Sequence, residues 1–203
     1  MTTSTGRIYL LRHGETEWSR SGKHTGRTDV ELTERGRDRA VATGALLPRL
    51  RGTTDPPALV IASPRIRARV TAELAGLHVD RIDDRLAEWD YGDYEGITTP
   101  EIRETVPGWT VWTHPTPGGE TAEQVTARAD AMLAEAEKHL EQGDVVLVGH
   151  GQFSRVLMAR WIGLTAAGGQ YIAMDPAAWT VLGFEREAHQ LAATNVTPAL
   201  AGG

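Results

Sequence analysis

Apolar positions along the chain gather into three short, nearly unbroken runs, with longer amphipathic stretches between them. Residues 7–11 (RIYLL), 58–62 (ALVIA) and 145–148 (VVLV) are the runs. Each is bounded by polar, proline or glycine residues, the pattern of a strand covered on both faces. After the first run, Thr33 is placed as a helix N-cap. The apolar stripe Ala40, Val41, Leu46, Leu47 and Leu50 then predicts one helix to about residue 50. After the second, Ser63-Pro64 reads as an N-cap with proline at the first helical position, opening a helix to about residue 74. Thr121 and Gln124 form a capping box. Beyond it Ala122, Val125, Ala129, Met132, Leu133, Ala136 and Leu140 share a helix face, and Gly143 is the stop. A further helix runs through Val156 to Ile162. Residues 79–82, 180–184 and 190–193 are short strand candidates, with a turn near Glu187-Ala188. The tail from Pro198 is expected to be loose.

Strands alternating with helices predict an α/β fold, a three-layer α/β/α sandwich on a mostly parallel central sheet. The length of 203 residues suits a single domain, 1–203. Residues 84–119 break the alternation. They are rich in Trp, Tyr, Gly and Pro and predict an excursion covering the active site, with one short helix near 100–105. Ligands of such sheets bind beyond the carboxyl ends of the strands. Two of the apolar runs end there on Arg12-His13-Gly14 and Gly149-His150-Gly151.

Composition narrows the function. Hydrophobic residues make up 40% and charged residues 24%, a globular balance. The net charge of −6, with no basic run, argues against nucleic acid or an anionic membrane as partner. There is no cysteine, which removes disulfides, thiolate metal sites and a thiol nucleophile. A polar start without a signal peptide, and no apolar run of about 18 residues, predict a cytoplasmic protein. A homodimer is left open.

Four segments carry candidate chemistry. Two imidazoles, His13 and His150, sit at strand ends, and the helix after His150 favours an anion nearby. Arg65, Arg67 and Arg69 crowd one helical turn, and Arg67 is the one expected to turn inward. Residues 88–96 (EWDYGDYEG) mix carboxylates with aromatic rings, a setting for a general acid.

These segments, in this order, resemble the histidine phosphatase superfamily, also called phosphoglycerate-mutase-like. The opening LLRHGETEWSRSGKHTGRTDVELTERG is the longest match, and SPRIRARVTAE, LAEWDYGDYEG, PGGET and VLVGHG are similar to later blocks. The opening block and EWDYGDYEG look closest to bacterial acid phosphatases and fungal sedoheptulose-1,7-bisphosphatase. The resemblance implies that His13 is the nucleophile, that Arg12, Arg67 and His150 surround the phosphoryl group, and that Glu88 protonates the leaving group. Ser19 departs from the Asn usual in the family's mutases. Ser19, His24, Thr25, Gly26, Tyr91, Glu120, Gly151 and Gln152 are expected to bind substrate, with Glu120 contacting a hydroxyl or holding Arg12. Trp89, Tyr94, Trp109 and Trp112 are candidates for the pocket mouth, and Arg20, Lys23, Arg27 and Arg103 for a second phosphate subsite.

The implied reaction hydrolyses a small phosphorylated metabolite, a sugar phosphate or bisphosphate, through a phosphohistidine. It needs no cofactor and no metal, since Arg12, Arg67 and a protonated His150 balance the phosphate charge. A phosphoglycerate mutase is the alternative, and a non-catalytic phosphate-binding regulatory module a more distant one.

Overall fold

The three apolar runs form the middle of the sheet. In this computed structural model, which describes residues 6–198, the strands are Ile8–Arg12 (β1), Leu59–Ala62 (β2), Arg81–Ile82 (β3), Val145–Gly149 (β4), Trp179–Glu185 (β5) and Ala188–Val196 (β6). Nearly all of the tail expected to be loose, and the start of the chain, lie outside the described residues. The sheet order is β3-β2-β4-β1-β5-β6. Strands β3, β2, β4 and β1 are mutually parallel, and β5 and β6 close one edge antiparallel.

The runs are apolar throughout because both faces of these strands are covered. Ile8, Leu10, Ile61, Val145 and Leu147 point into one core, and Tyr9, Leu11, Val60, Val146 and Val148 into the other. The helices Ala122–Glu137 and Gly151–Trp161 cover the first core. Leu47–Arg51 and Ile66–Leu74 cover the second. In chain order the helices are α1 (Glu17–Ser21), α2 (Glu34–Gly44), α3 (Leu47–Arg51), α4 (Ile66–Leu74), α5 (Thr99–Thr105), α6 (Ala122–Glu137) and α7 (Gly151–Trp161). The capping box of Thr121 and Gln124 opens α6 as expected.

Three local expectations need correction. The single helix from residue 34 to 50 is two helices, α2 and α3. Pro48 has no N–H to offer the Gly44 carbonyl, so the helix cannot run through. Val41, assigned to the apolar stripe, is 56% exposed. Helix α4 begins at Ile66 with Arg65 as its cap, two residues later than expected; the Ser63 hydroxyl accepts from Arg65 N–H at 3.3 Å and also bonds His150 Nε2. The loop after β1 contains a helix that the sequence reading lacked. In α1, Thr16 and Ser19 cap one another reciprocally, serine taking the place of the usual Glu or Gln.

The excursion at 84–119 is held by its own aromatic core. Trp89, Tyr91, Ile102, Trp109 and Val111 are buried against the core on the side of α6 and α7. Register carries this architecture to the site. Arg12 pairs with Gly149, so the residues after them, His13 and His150, leave adjacent strands side by side.

Candidate active site

The His13 and His150 rings lie edge to face with centroids 5.2 Å apart. Backbone bonds from His13 N–H to Gly149 O (2.9 Å) and from Ala177 N–H to His13 O (3.1 Å) fix the first of them. His13 Nδ1 lies 2.7 Å from Gly14 O. A carbonyl only accepts, so Nδ1 carries the proton and Nε2 keeps its lone pair. Burial, then Arg67 and Arg12, hold the His13 pKa well below the ordinary imidazole value.

His150 is fully buried and has both ring nitrogens engaged. Nδ1 accepts from Arg67 Nε at 3.2 Å, so the remaining proton sits on Nε2, 2.7 Å from Ser63 Oγ. Burial and the neighbouring Arg67 push its pKa well down. His150, expected to be cationic, is a neutral ring in this arrangement, and the positive charge beside it is that of Arg67.

Arg67 turns inward, as expected, and is fully buried, whereas Arg69 is exposed. Its guanidinium donates to the carbonyls of Thr28 (2.8 Å), Thr25 (2.9 Å) and Gly26 (3.2 Å). Glu95 grips the same loop from its other side, accepting from Gly26 N–H and Thr28 N–H. Arg12 donates from Nη1 to Met174 O, while its buried Nε has no protein acceptor. The first turn of α7 passes directly beneath it. A Cβ at Gly151 would lie 3.1 Å from Arg12 Cζ and Nε, so a side chain there would push the guanidinium away.

Glu88 fills the N-terminus of α7. Its carboxylate accepts from Phe153 N–H (2.8 Å), Trp89 N–H (2.9 Å) and Gln152 N–H (3.0 Å). The anion expected at this helix end is thus a side chain of the protein itself.

A cavity of about 220 Å³ is lined by Arg12, His13, Ser19, Gly22, Lys23, His24, Thr25, Glu88, Tyr91, Thr99 and Gln152. Arg67 and His150 lie beneath this lining rather than in it. His24 is buried against Tyr91 and Trp109, and burial lowers its pKa to about 4. Burial and the nearby Glu88 raise the Tyr91 phenol.

Residues 8–197 match the histidine phosphatase superfamily, branch 1. An acid phosphatase of Mycobacterium tuberculosis is 51% identical over 94% of this chain and 93% of its own length. The chain belongs to the histidine phosphatase superfamily. A sedoheptulose 1,7-bisphosphatase of Saccharomyces cerevisiae is 35% identical over 81% of this chain and 70% of its own. Among solved structures, a Mycobacterium tuberculosis open reading frame superposes with a TM-score of 0.91 at 48% identity, covering 96% of this chain and all of that one. A mycobacterial glucosyl-3-phosphoglycerate phosphatase complexed with VO3 superposes with a TM-score of 0.81 at 32% identity, covering 95% of this chain and all of that one.

Within this histidine phosphatase some substrate expectations change. Glu120 neither lines the cavity nor reaches Arg12. Arg128 binds it through Nε (2.9 Å) and Nη2 (2.7 Å), and Asp90 N–H adds a third bond. Glu120 lies just before α6 and Arg128 two turns into it, so no helix periodicity in the sequence joins them. The Ser19 hydroxyl lines the cavity but spends its hydrogen on Thr16 O (3.0 Å). Trp89, Tyr94, Trp109 and Trp112 pack the excursion and stay out of the cavity. Of the four cations considered for a second phosphate, Lys23 alone lines it. Arg20 pairs with Glu17, Arg27 with Asp90, and Arg103 donates to Trp109 O. Thr99, Ser63 and Thr71 were missed, since lone hydroxyl residues carry no signal until the fold places them.

Proposed function

We propose that this histidine phosphatase is a phosphoric monoester hydrolase that passes the phosphoryl group of a small metabolite through His13 to water. The observation that carries the reading is the bond from His13 Nδ1 to Gly14 O, which leaves an unprotonated Nε2 beside Arg12 and Glu88. Nε2 attacks phosphorus and the bond to the leaving oxygen breaks, with Glu88 delivering a proton to that oxygen. Water then attacks the phosphohistidine, gives its proton to Glu88, and the P–N bond breaks. Charge developing on the equatorial oxygens meets Arg12, whose free Nε is a preorganised donor, and the buried charge of Arg67. Neutral His150 fixes Arg67 in place.

The cavity of about 220 Å³ favours a small ester; drug-sized pockets run from roughly 300 to 1,000 Å³. Acid, sugar-bisphosphate and glucosyl-phosphoglycerate phosphatases among the relatives support this substrate class. The reading takes the whole chain as one catalytic domain of the cytoplasm, with residues 84–119 forming a wall of the cavity. No helix among the described residues is long and apolar enough to cross a membrane.

Rapid quench with a ³²P-labelled ester is expected to trap an acid-labile phosphoenzyme, and His13→Ala to abolish both the label and turnover. Turnover by His13→Ala would overturn the reading. Release of inorganic phosphate rather than conversion of 3- to 2-phosphoglycerate separates hydrolysis from mutase chemistry.

A further inference from the structure

Thr71 lies one helical turn beyond Arg67 on α4 and has no exposed surface. Its hydroxyl donates to Arg67 O at 2.6 Å, and the same oxygen accepts from Gly14 N–H at 2.9 Å. The bond back along the helix fixes where the hydroxyl hydrogen points and leaves a lone pair for Gly14. The peptide joining His13 to Gly14 is consequently held at both ends, by Thr71 at its N–H and by Ala177 N–H at the His13 oxygen. The next peptide supplies Gly14 O, the acceptor for His13 Nδ1.

Gly14 is the pivot between these two peptides. It cannot be replaced by a residue with a restraining side chain, because a Cβ there would sit 2.5 Å from Gly36 O. A glycine pivot has wide torsional freedom of its own. Something outside the loop must set the direction of its carbonyl, and the buried hydroxyl of Thr71 is placed to do so.

We infer that Thr71 is a positioning residue for phosphoryl transfer: by pinning Gly14 N–H it aims the Gly14 carbonyl that keeps the proton on His13 Nδ1 and the lone pair on Nε2. The inference rests on the reading of His13 as nucleophile. It also explains why one side chain bonds both the carbonyl of Arg67 and the loop of His13. A ring released from Gly14 O can carry its proton on Nε2 and is then no nucleophile.

The test compares the full chain with Thr71→Val, which keeps the shape and removes the hydroxyl, and Thr71→Ser, which keeps the hydroxyl. The readouts are the ring ¹⁵N resonances of His13 and the rate of phosphoenzyme formation with p-nitrophenyl phosphate. The wild-type ring is expected to be protonated on Nδ1. Thr71→Val is expected to show a mixture of tautomers and to form phosphoenzyme about 10- to 100-fold more slowly, with KM within about threefold. Thr71→Ser is expected to restore both properties.

The inference is overturned if Thr71→Val retains its rate within about twofold, or loses the rate with an unchanged His13 tautomer. It is equally overturned if Thr71→Ser is as impaired as Thr71→Val. Should Thr71→Val fail to fold, the wild-type protein decides. An Nδ1-protonated His13 with a Gly14 amide protected from hydrogen exchange supports the inference, and an Nε2-protonated ring or a fast-exchanging amide defeats it. An inactive wild-type chain would instead sink the phosphatase reading, while the ring spectra would still report on Thr71.

Discussion

Arg67 Nε donates to His150 Nδ1 across 3.2 Å, and that bond dictates the protonation of the second histidine. A ring nitrogen that accepts cannot hold a proton. With Ser63 on the other nitrogen, His150 is a neutral connector between a permanent cation and the floor of the site. The guanidinium meets this demand because its planar fork reaches His150 and three loop carbonyls at once.

Arg67→Lys keeps the charge and loses the fork. It is expected to lower kcat/KM on the order of 100-fold. The pKa of the His150 ring should move upward only in part, because burial, the larger cause of its depression, remains when the donor to Nδ1 is gone. Steady-state kinetics with an NMR titration of the ring check both. A variant within about tenfold of wild type would show that charge alone suffices.

Glu88 is proposed to protonate the leaving oxygen, so its value depends on how badly that oxygen needs a proton. Glu88→Gln is expected to slow hydrolysis of alkyl phosphates by about 10²- to 10⁴-fold, and that of p-nitrophenyl phosphate far less. Equal losses on both esters would remove the proton-donor role. The substitution keeps one accepting oxygen for Trp89 N–H and Phe153 N–H and sets an amide N–H₂ against Gln152 N–H. A lost buried bond of this kind costs about 1–3 kcal/mol, visible as a lower Tm.

Lys23 lines the cavity and is not ion-paired among the described residues, while Arg20 and Arg27 are neutralised by carboxylates. If a second anionic group of the substrate binds there, Lys23→Ala raises KM for a sugar bisphosphate about 3- to 30-fold and leaves the matching monophosphate nearly unchanged. Equal effects on the two substrates would place the second group elsewhere.

Three buried histidines, His13, His24 and His150, have pKa values pushed below the ordinary value of 6.5 by burial, His24 to about 4. In the unfolded chain each takes up a proton below about pH 6.5, while in the folded chain it stays neutral to lower pH. The unfolded state therefore binds more protons in that window, and stability falls on acidification. The penalty is absent above about pH 6.5 and grows, at up to about 1.4 kcal/mol per pH unit for each group, until the folded pKa is reached. Tm is expected to drop between about pH 7 and pH 5, before carboxylates titrate. Added phosphate or vanadate should shrink the drop by placing negative charge beside His13 and His150. A flat Tm across that range would contradict the neutral, buried rings.

Much of the site could be read before folding. His13, Arg12, Arg67, Glu88 and His150 stand in segments whose order and spacing are specific, and the apolar runs before His13 and His150 foretold where the rings would emerge. What escaped depends on contacts between distant segments. The capping signal at Ser63-Pro64 was sound chemistry, since the hydroxyl accepts from Arg65 N–H, but its second bond, to His150, could not be read. The tryptophans suit a pocket wall and a core equally well by composition, and the tertiary fold sent them to the core. The role of Glu120 turned on Arg128, and that of Thr71 on a glycine 57 residues away. The break between α2 and α3 was legible at Pro48 and was outweighed by an apolar stripe that included the exposed Val41.

The position of β1 in the sheet also governs when catalysis becomes available. The strand that delivers His13 precedes the other described strands, yet both its neighbours, β4 and β5, come late in the order. The contact that opens its pairing with β4, from Arg7 N–H to Asp144, joins residues 137 apart. Pairing over that distance is slow, since loop closure precedes any reward from the contact. The strand before His13 can take its place between β4 and β5 only once both have been synthesised, so the two histidines are brought side by side late in folding.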